Sequence, residues 1–262
     1  MQFLILTKRR LLVLFSCVLI GALMLTVAGS TASKVVSTIS EERRIPIYYV
    51  DTEEKVCALS FDAAWGNEST DALLDILDEY EVKSTFFLVA SWVENYPDSV
   101  KEIAARGHDI GNHSATHPHM SELSADGIRT EIDTCNERVK ELIGNSPTLF
   151  RAPYGEYNNT VVETVCDQCG MYCVQWNIDS LDWKDPTPDE MVARIGENLC
   201  PGSIILLHNG ATNTPDALPK IIETIRDQGY RIVPISELLP DGDYTTDHEG
   251  KMIVADTDTT FH

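Results

Sequence analysis

Short apolar runs alternate with amphipathic helical patterns along most of this 262-residue chain, and this alternation most constrains its fold. The apolar runs predict strands at residues 56–61, 84–89, 108–111, 148–150, 171–176, 203–207 and 231–233. The amphipathic patterns predict helices at residues 69–80, 97–106, 124–144, 159–169, 188–199 and 215–228. The strands are continuously apolar, which is typical of a parallel sheet covered on both faces. About seven such units predict an α/β fold, a distorted (β/α) barrel, with a doubly wound open sheet as the alternative.

The N-terminus predicts a membrane segment. Lys8, Arg9 and Arg10 precede an uncharged apolar run from Leu11 to Ala28. Basic residues before such a run favour a cytoplasmic N-terminus and place all later residues outside. We therefore predict a transmembrane signal anchor in residues 1–33, with a cleaved signal peptide as the alternative. The expected location is the cell membrane, single-pass with an extracytoplasmic domain, or secretion if the segment is cleaved.

The rest of the chain divides into three predicted parts. Residues 34–50 are expected to be a linker with a short strand at 48–50, residues 51–238 the folded domain, and residues 239–262 an acidic tail. The net charge of −21 argues against a nucleic-acid partner, which would need a basic surface. We expect a monomer. The six cysteines after the apolar run are an even count, which allows disulfides in an exported chain. Cys166, Cys169 and Cys173 are expected to be small buried hydrophobic residues rather than a metal or redox site.

Polar residues follow several predicted strands, and the carboxyl ends of parallel strands meet at one rim. In chain order these residues are Asp62, His113, His117, Arg151, Asp179, Asp182 and His208. His113 and His117 are four apart, so a helical turn would place both imidazoles on one face, a spacing that suits one divalent metal. A pair of polar loop histidines is the alternative interpretation. Because all seven of these polar residues are expected at the same rim, the active-site interpretation is favoured.

Five segments in order carry a family resemblance. They are Ser60-Phe61-Asp62-Ala63-Ala64, His113-Ser114-Ala115-Thr116-His117, Arg151-Ala152-Pro153-Tyr154-Gly155, Asp179-Ser180-Leu181-Asp182-Trp183 and Leu206-Leu207-His208. From Val56 to Leu238 the chain resembles the NodB-homology polysaccharide deacetylases of carbohydrate esterase family 4. The sequence from Phe61 to Gly66 resembles that of the PdaB-like, sporulation-associated subgroup.

The resemblance implies a metal-dependent hydrolase that removes N-acetyl groups from cell-wall polysaccharide, either peptidoglycan or chitin-like oligomers. It also implies a role for each matching residue. The implied roles are Asp62 as general base, His208 as general acid, Arg151 orienting the base, Asp182 keeping His208 charged, the Tyr154 N–H at the oxyanion, Trp183 and Leu206 walling the acetate pocket, and His113 and His117 as metal ligands. Zn²⁺ is the expected ion, with Co²⁺ and Mn²⁺ as alternatives.

One departure from the family pattern leaves two functions open. The family usually has a third metal ligand, an aspartate, at the position of Ala63, and a methyl group cannot bind metal. Metal occupancy is therefore in doubt unless another residue, such as His119 or Asn67, replaces it. The alternative function is a catalytically inactive wall-binding or scaffolding protein that keeps the deacetylase fold.

Overall fold

The structure, a computed structural model, describes residues 42–254. The predicted membrane segment at residues 1–33 lies outside the described residues and stays a prediction. In residues 42–254, no helix combines the length and the apolar character that crossing a membrane requires.

The strands of the described chain join in one sheet. They are β1 (Tyr49–Val50), β2 (Val56–Ala63), β3 (Thr85–Leu88), β4 (Asp109–Asn112), β5 (Leu149–Phe150), β6 (Tyr172–Cys173), β7 (Ile178–Asp179), β8 (Ser203–His208), β9 (Arg231–Ile232), β10 (Tyr244–Thr246) and β11 (Lys251–Val254). Along the sheet the order is β10-β11-β1-β8-β2-β3-β4-β5-β6, and β9 pairs with β2. The neighbours of β2, namely β3, β8 and β9, all run parallel to it.

Helices cover this sheet. They are α1 (Thr70–Glu79), α2 (Ala90–Asn95), α3 (Pro97–Ala105), α4 (Ala125–Ile143), α5 (Asn159–Glu163), α6 (Pro188–Asn198), α7 (Thr214–Asp227) and α8 (Ile235–Leu238), and a π-helical turn, Thr164–Gln168, continues α5. Sequence signals set several of their ends. Ser124 caps α4 by accepting the N–H of Gly127, and Thr187 forms a capping box with Glu190 at α6. Gly144 ends α4 with a positive φ of 83°, a conformation that glycine adopts without a steric penalty.

The sheet curls into a distorted barrel, which confirms the predicted fold class. The segment from β6 to β7 connects strands that lie far apart in this order, because β6 pairs with β5 and β7 pairs with β8, on the other side of β2. Ile47, just before β1, forms an isolated parallel β-bridge with Val174, just beyond β6. Every residue of β2 is buried, as its continuous apolar pattern predicts for the central strand of a covered sheet.

The register of β2 and β8 positions the site. Asp62, near the end of β2, pairs with His208, the last residue of β8. His113 directly follows β4, and Arg151 directly follows β5. Polar side chains from four neighbouring strands therefore meet at the carboxyl rim, as their positions in the sequence predict.

The boundaries of the folded domain differ from the prediction. The acidic segment after residue 239 is not a tail up to residue 254, since β10 and β11 pair with each other and β11 extends the sheet alongside β1. Met252 is fully buried, and the Tyr244 ring stacks on Tyr172 at 5.6 Å between centroids. The end of the predicted linker is also part of the domain, because Ile47 and Val50 are buried. These short strands gain their stability from pairing rather than from an apolar pattern of their own.

His108, at the opposite end of the barrel, makes folding stability depend on pH. It is buried, and its Nδ1 accepts the backbone N–H of Ser84 at 3.1 Å. Burial, together with the nearby charge of Lys83, lowers the pKa of His108 to about 4. A histidine in the unfolded chain titrates near pH ~6.5. The contribution of neutral His108 to the free energy of unfolding is therefore complete above that pH and is lost as the pH falls towards 4.

Replacing His108 with glutamine tests this linkage, because an amide oxygen can accept the same hydrogen bond without becoming charged. Between pH 7 and pH 5 the free energy of unfolding should fall by about 2 kcal/mol less in His108→Gln than in the wild type. Urea denaturation at the two pH values measures the difference. Equal losses in the two proteins would contradict this account.

Candidate active site

A cleft of about 570 Å³ opens at the carboxyl ends of the strands. The residues predicted for the site that line it are Asp62, His113, His117, Tyr154, Trp183, Leu206 and His208. The other two, Arg151 and Asp182, are fully buried and form hydrogen bonds with Asp62 and His208. The structure thus brings all the predicted site residues together at one rim.

Asp62 is held as a buried carboxylate by Arg151. The Nη1 of Arg151 donates to Asp62 Oδ1 at 2.8 Å, and its Nη2 donates to Ser60 Oγ at 2.9 Å and to the Gln175 carbonyl at 3.1 Å. The guanidinium lies over the Phe87 ring at 4.1 Å. Burial by itself would raise the pKa of Asp62, but the charge of Arg151 and the electrostatic interactions with His113 and His208 lower this pKa below its usual value. An ionised carboxylate that lines the cleft can accept a proton from water.

His208 has the opposite electrostatic setting. Its Nδ1–H donates to Asp182 Oδ1 at 2.7 Å, and its backbone N–H donates to Asp182 Oδ2 at 2.7 Å. The hydroxyl of Thr214 donates to the same carboxylate at 2.8 Å. Burial would lower the pKa of His208, but the hydrogen bond and the charge of Asp182 raise it above the usual value. His208 therefore favours the imidazolium form, which can donate a proton.

The two remaining histidines of the predicted site, His113 and His117, also line the cleft. The Nδ1–H of His113 donates to the Arg151 carbonyl at 2.8 Å, which leaves Nε2 as the acceptor nitrogen, 3.4 Å from Asp62 Oδ2. The His117 ring centroid lies 5.0 Å from that of His113. Burial lowers the pKa of His113, and it lowers the pKa of His117 to about 4. Both imidazoles are therefore neutral at pH 7, the state that binds metal.

The loop that carries these histidines is not a helical turn. Ser114 and His117 have positive φ values of 71° and 59°, which are uncommon for residues other than glycine. Glu131, on α4, holds the loop by accepting the backbone N–H groups of Ala115 and Thr116 at 2.9 and 2.8 Å. Asn112 accepts the N–H of Ser114 at 2.7 Å. Neither Glu131 nor Asn112 belongs to a motif whose spacing predicts this contact, so the sequence alone does not identify them.

The residues present match a catalytic metal centre only in part. Two neutral imidazoles fit two ligand positions, and His117 Nδ1 is a buried nitrogen without a hydrogen-bond partner among residues 42–254. In the same residues, no three side chains of His, Cys, Asp or Glu are placed to hold one ion. Ala63 is fully buried at the third position. A typical catalytic zinc site has three protein ligands, so the donor set is incomplete.

Neither residue proposed to replace the third ligand is placed to do so. His119 Nδ1–H donates to Glu156 Oε2 at 2.8 Å, and the His119 ring stacks on Tyr154 at 4.5 Å between centroids. The Asn67 amide donates to Ser99 Oγ at 3.1 Å. Both side chains are therefore engaged elsewhere, which leaves His113 and His117 as the candidate ligands.

Aromatic and apolar side chains form the walls of the cleft. Tyr154 has a positive φ of 60°, and its ring meets the edge of His117 at 4.5 Å between centroids. Trp183 is 56% exposed, with the Lys184 ammonium 4.5 Å from its ring. Leu206 is nearly buried on β8 beside Asp179. Asp179 does not form an ion pair with Arg151, whose guanidinium pairs with Asp62. It accepts the Leu181 N–H at 2.8 Å.

The chain is similar in sequence to known proteins. The model of the family described as "Polysaccharide deacetylase" matches residues 49–174. The chain is 36% identical to the uncharacterized protein YlxY of Bacillus subtilis, and the match covers 74% of this chain and 60% of YlxY. It is 34% identical to the peptidoglycan-N-acetylmuramic acid deacetylase PdaC of Bacillus subtilis, over 72% of this chain and 40% of PdaC. The chain thus spans less than two thirds of each of these relatives.

Two further comparisons cover more of the other protein. The chain is 36% identical to a peptidoglycan-N-acetylglucosamine deacetylase of Bacillus cereus, over 69% of this chain and 67% of that protein. A solved structure of a CE4 family pseudoenzyme from Bacillus anthracis superposes with a TM-score of 0.72 at 35% identity, covering 74% of this chain and 69% of that one. By sequence and by structure, the chain belongs to the polysaccharide deacetylases of carbohydrate esterase family 4.

Proposed function

We propose that this protein is a hydrolase that removes N-acetyl groups from cell-wall glycan, either peptidoglycan or chitin-like oligomers. The observation that carries the proposal is the pair of side chains at the ends of β2 and β8. Asp62 is kept ionised by Arg151, and His208 is kept protonated by Asp182, so one rim holds a base and an acid at the same pH. The peptidoglycan deacetylases among its relatives support this class of substrate.

The chain's own residues can perform the proton transfers of amide hydrolysis. Asp62 takes a proton from water, whose oxygen then forms a bond to the acetamide carbonyl carbon. The backbone N–H of Tyr154 donates to the resulting oxyanion. His208 gives its proton to the amine nitrogen as the carbon–nitrogen bond breaks, and the products are acetate and a free amine on the sugar. Trp183 and Leu206 wall the position of the acetyl methyl group.

We propose that His113 and His117 bind a divalent ion weakly, because both are neutral imidazoles that line the cleft, and His117 Nδ1 has no hydrogen-bond partner among residues 42–254. Zn²⁺ is the proposed ion, with Co²⁺ and Mn²⁺ as alternatives. When bound there, such an ion supplies Lewis acidity to a carbonyl oxygen or to water. We also propose that the protein belongs to the PdaB-like subgroup and acts as a monomer on cell-wall glycan. Its N-terminal segment would anchor it in the membrane, with the folded domain outside the cytoplasm.

A second candidate is favoured by Ala63. Without a third ligand the protein could keep the cleft and bind wall glycan without hydrolysing it. The similarity to a CE4 family pseudoenzyme supports this candidate. The retained base, acid, Arg151 and Asp182 support the first candidate instead, and we therefore place hydrolysis first.

Acetate release separates the two candidates. Purified full-length protein is incubated with peptidoglycan or with N-acetylglucosamine oligomers, with added Zn²⁺, Co²⁺ or Mn²⁺ or with EDTA. Hydrolysis predicts acetate in the presence of metal and its loss with EDTA. Glycan that binds while no acetate appears under any metal would favour the second candidate.

The pH dependence of the reaction tests the role of Asp182. His208 must be protonated to donate, so activity should be lost as the pH rises through its raised pKa. Asp182→Asn removes the charge that raises this pKa, and the alkaline limb of the pH–rate profile should therefore move to lower pH by about one unit or more. Rates across the pH range for the two proteins measure the shift. An unmoved alkaline limb would mean that His208 is not the acid.

A further inference from the structure

Trp65 is the most exposed large hydrophobic side chain in the described part of the chain, with 67% of its surface accessible. It lies on the rim of the cleft, as do the exposed Trp183 and Tyr154. A single exposed hydrophobic residue is ordinary on a protein surface, but three exposed aromatic rings around one cleft indicate a binding surface.

The backbone that carries Trp65 is fixed. The carbonyl of Gly66 accepts the indole N–H of Trp92 and the side-chain amide of Asn209, the latter at 3.1 Å. Gly210 packs against the Trp65 carbonyl so closely that an added Cβ would lie 2.7 Å from its oxygen. The Trp65 loop is thus held from two sides although its indole is mostly in water. A rigidly mounted aromatic side chain loses little conformational entropy when it binds a ligand.

The position of the ring relates it to the proposed reaction. The Trp65 indole meets the edge of His117 at 4.8 Å between centroids, with the ring planes at 62°. His117 in turn makes a T-shaped contact with His113, whose Nε2 lies 3.4 Å from Asp62 Oδ2. Trp65 is therefore next to the reacting groups but is separated from Asp62 by the two imidazoles. A ligand on its exposed surface would be a neighbour of the reacting group.

The chemistry of the expected ligand fits such a surface. A pyranose ring with equatorial substituents presents a face of C–H groups, which carry partial positive charge. The face of an indole carries partial negative charge and attracts them. The cleft volume of about 570 Å³ also lies within the ~300–1,000 Å³ that pockets for drug-sized ligands occupy, so space remains beside one reacting sugar.

We propose that Trp65 is a stacking surface for a second sugar ring, adjacent to the one that carries the reacting acetamide, so that the cleft recognises an oligosaccharide rather than a single sugar. This inference rests on the proposed glycan substrate. It assigns Trp65 a role in binding and positioning, not in proton transfer.

The test measures how affinity depends on oligomer length. Isothermal titration of the full-length protein, with EDTA present to prevent turnover, gives dissociation constants for N-acetylglucosamine and for its dimer, trimer and tetramer. Trp65→Ala should weaken tetramer binding about tenfold, the loss expected for one aromatic stacking contact. Binding of the monomer should change less than about twofold, because the second ring is absent. Trp65→Phe should restore most of the lost affinity, since it keeps an aromatic face.

Ile253→Ala is the matched control, because Ile253 is also an exposed hydrophobic residue but lies on β11 outside the cleft. It should bind every oligomer like the wild type. Equal tetramer affinity in Trp65→Ala and the wild type would overturn the inference, as would a wild-type protein that binds no oligomer. A length-dependent loss in Trp65→Ala without acetate release under any metal would support the stacking surface while counting against hydrolysis.

Discussion

Asp62→Asn should lower the rate of acetate release by about 10²- to 10⁴-fold, the usual contribution of a general base. An asparagine oxygen can still accept the hydrogen bond from Arg151, but it cannot take a proton from water. Glycan binding should change little, because Asp62 is directed at the reacting water in this account. Initial rates of acetate release and dissociation constants for N-acetylglucosamine oligomers provide the two measurements.

This substitution also leaves the charge of Arg151 buried without its partner, which destabilises the fold by up to about 3–5 kcal/mol. Thermal unfolding must therefore show that the variant is folded at the assay temperature. Asp185→Asn is the control, since Asp185 lines the same cleft and has no assigned role. It should keep wild-type rates. A folded Asp62→Asn protein that retained more than a tenth of wild-type activity would exclude Asp62 as the base.

Ala63→Asp should tighten the binding of Zn²⁺ at least about tenfold, because it adds an anionic ligand beside two neutral imidazoles. The expected consequence is higher activity at limiting metal. Without metal the same change should lower the melting temperature, because Ala63 is fully buried and a carboxylate there loses its hydration. Added Zn²⁺ should then raise the melting temperature of the variant more than that of the wild type.

Ala63→Asn is the matched control for size and polarity, since an amide is a weaker, uncharged ligand. It should share the loss of stability but gain little metal affinity. If titration with Zn²⁺ gives the same affinity for Ala63→Asp and the wild type, the metal geometry of the family does not apply to this chain. Non-catalytic glycan binding would then become the preferred function.

The parts of the fold that carry the site were predictable because buried parallel strands have a strong sequence signal. The continuous apolar run that forms β2 and the run that forms β8 predict two covered strands, and their carboxyl ends place Asp62 and His208 at one rim. The long helix α4 followed from its amphipathic spacing and from Ser124 and Gly144 at its ends. These signals are local, so a single sequence contains them.

Other features depend on contacts between distant residues and had no local signal. β10 and β11 lie in an acidic segment, and they form because β11 pairs with β1, about 200 residues away in the chain. The positive φ of Ser114 and His117 depends on support from Glu131 on a later helix. The backbone next to Trp65 is similarly held by Asn209, which follows β8 and donates to the Gly66 carbonyl. A motif can identify the histidines and the base, but not the side chains that hold them in place.

Acetate formation in heavy-oxygen-labelled water tests the central claim most directly, namely that Asp62 and His208 hydrolyse an acetamide despite Ala63. The full-length protein is incubated with N-acetylglucosamine oligomers and saturating Zn²⁺, and the released acetate is analysed by mass spectrometry. We expect the wild type to form acetate that carries one oxygen from the solvent, and Asp62→Asn to form it at least about 100-fold more slowly. Acetate release by the wild type that never exceeds the Asp62→Asn rate, with Zn²⁺, Co²⁺ or Mn²⁺, would contradict this claim.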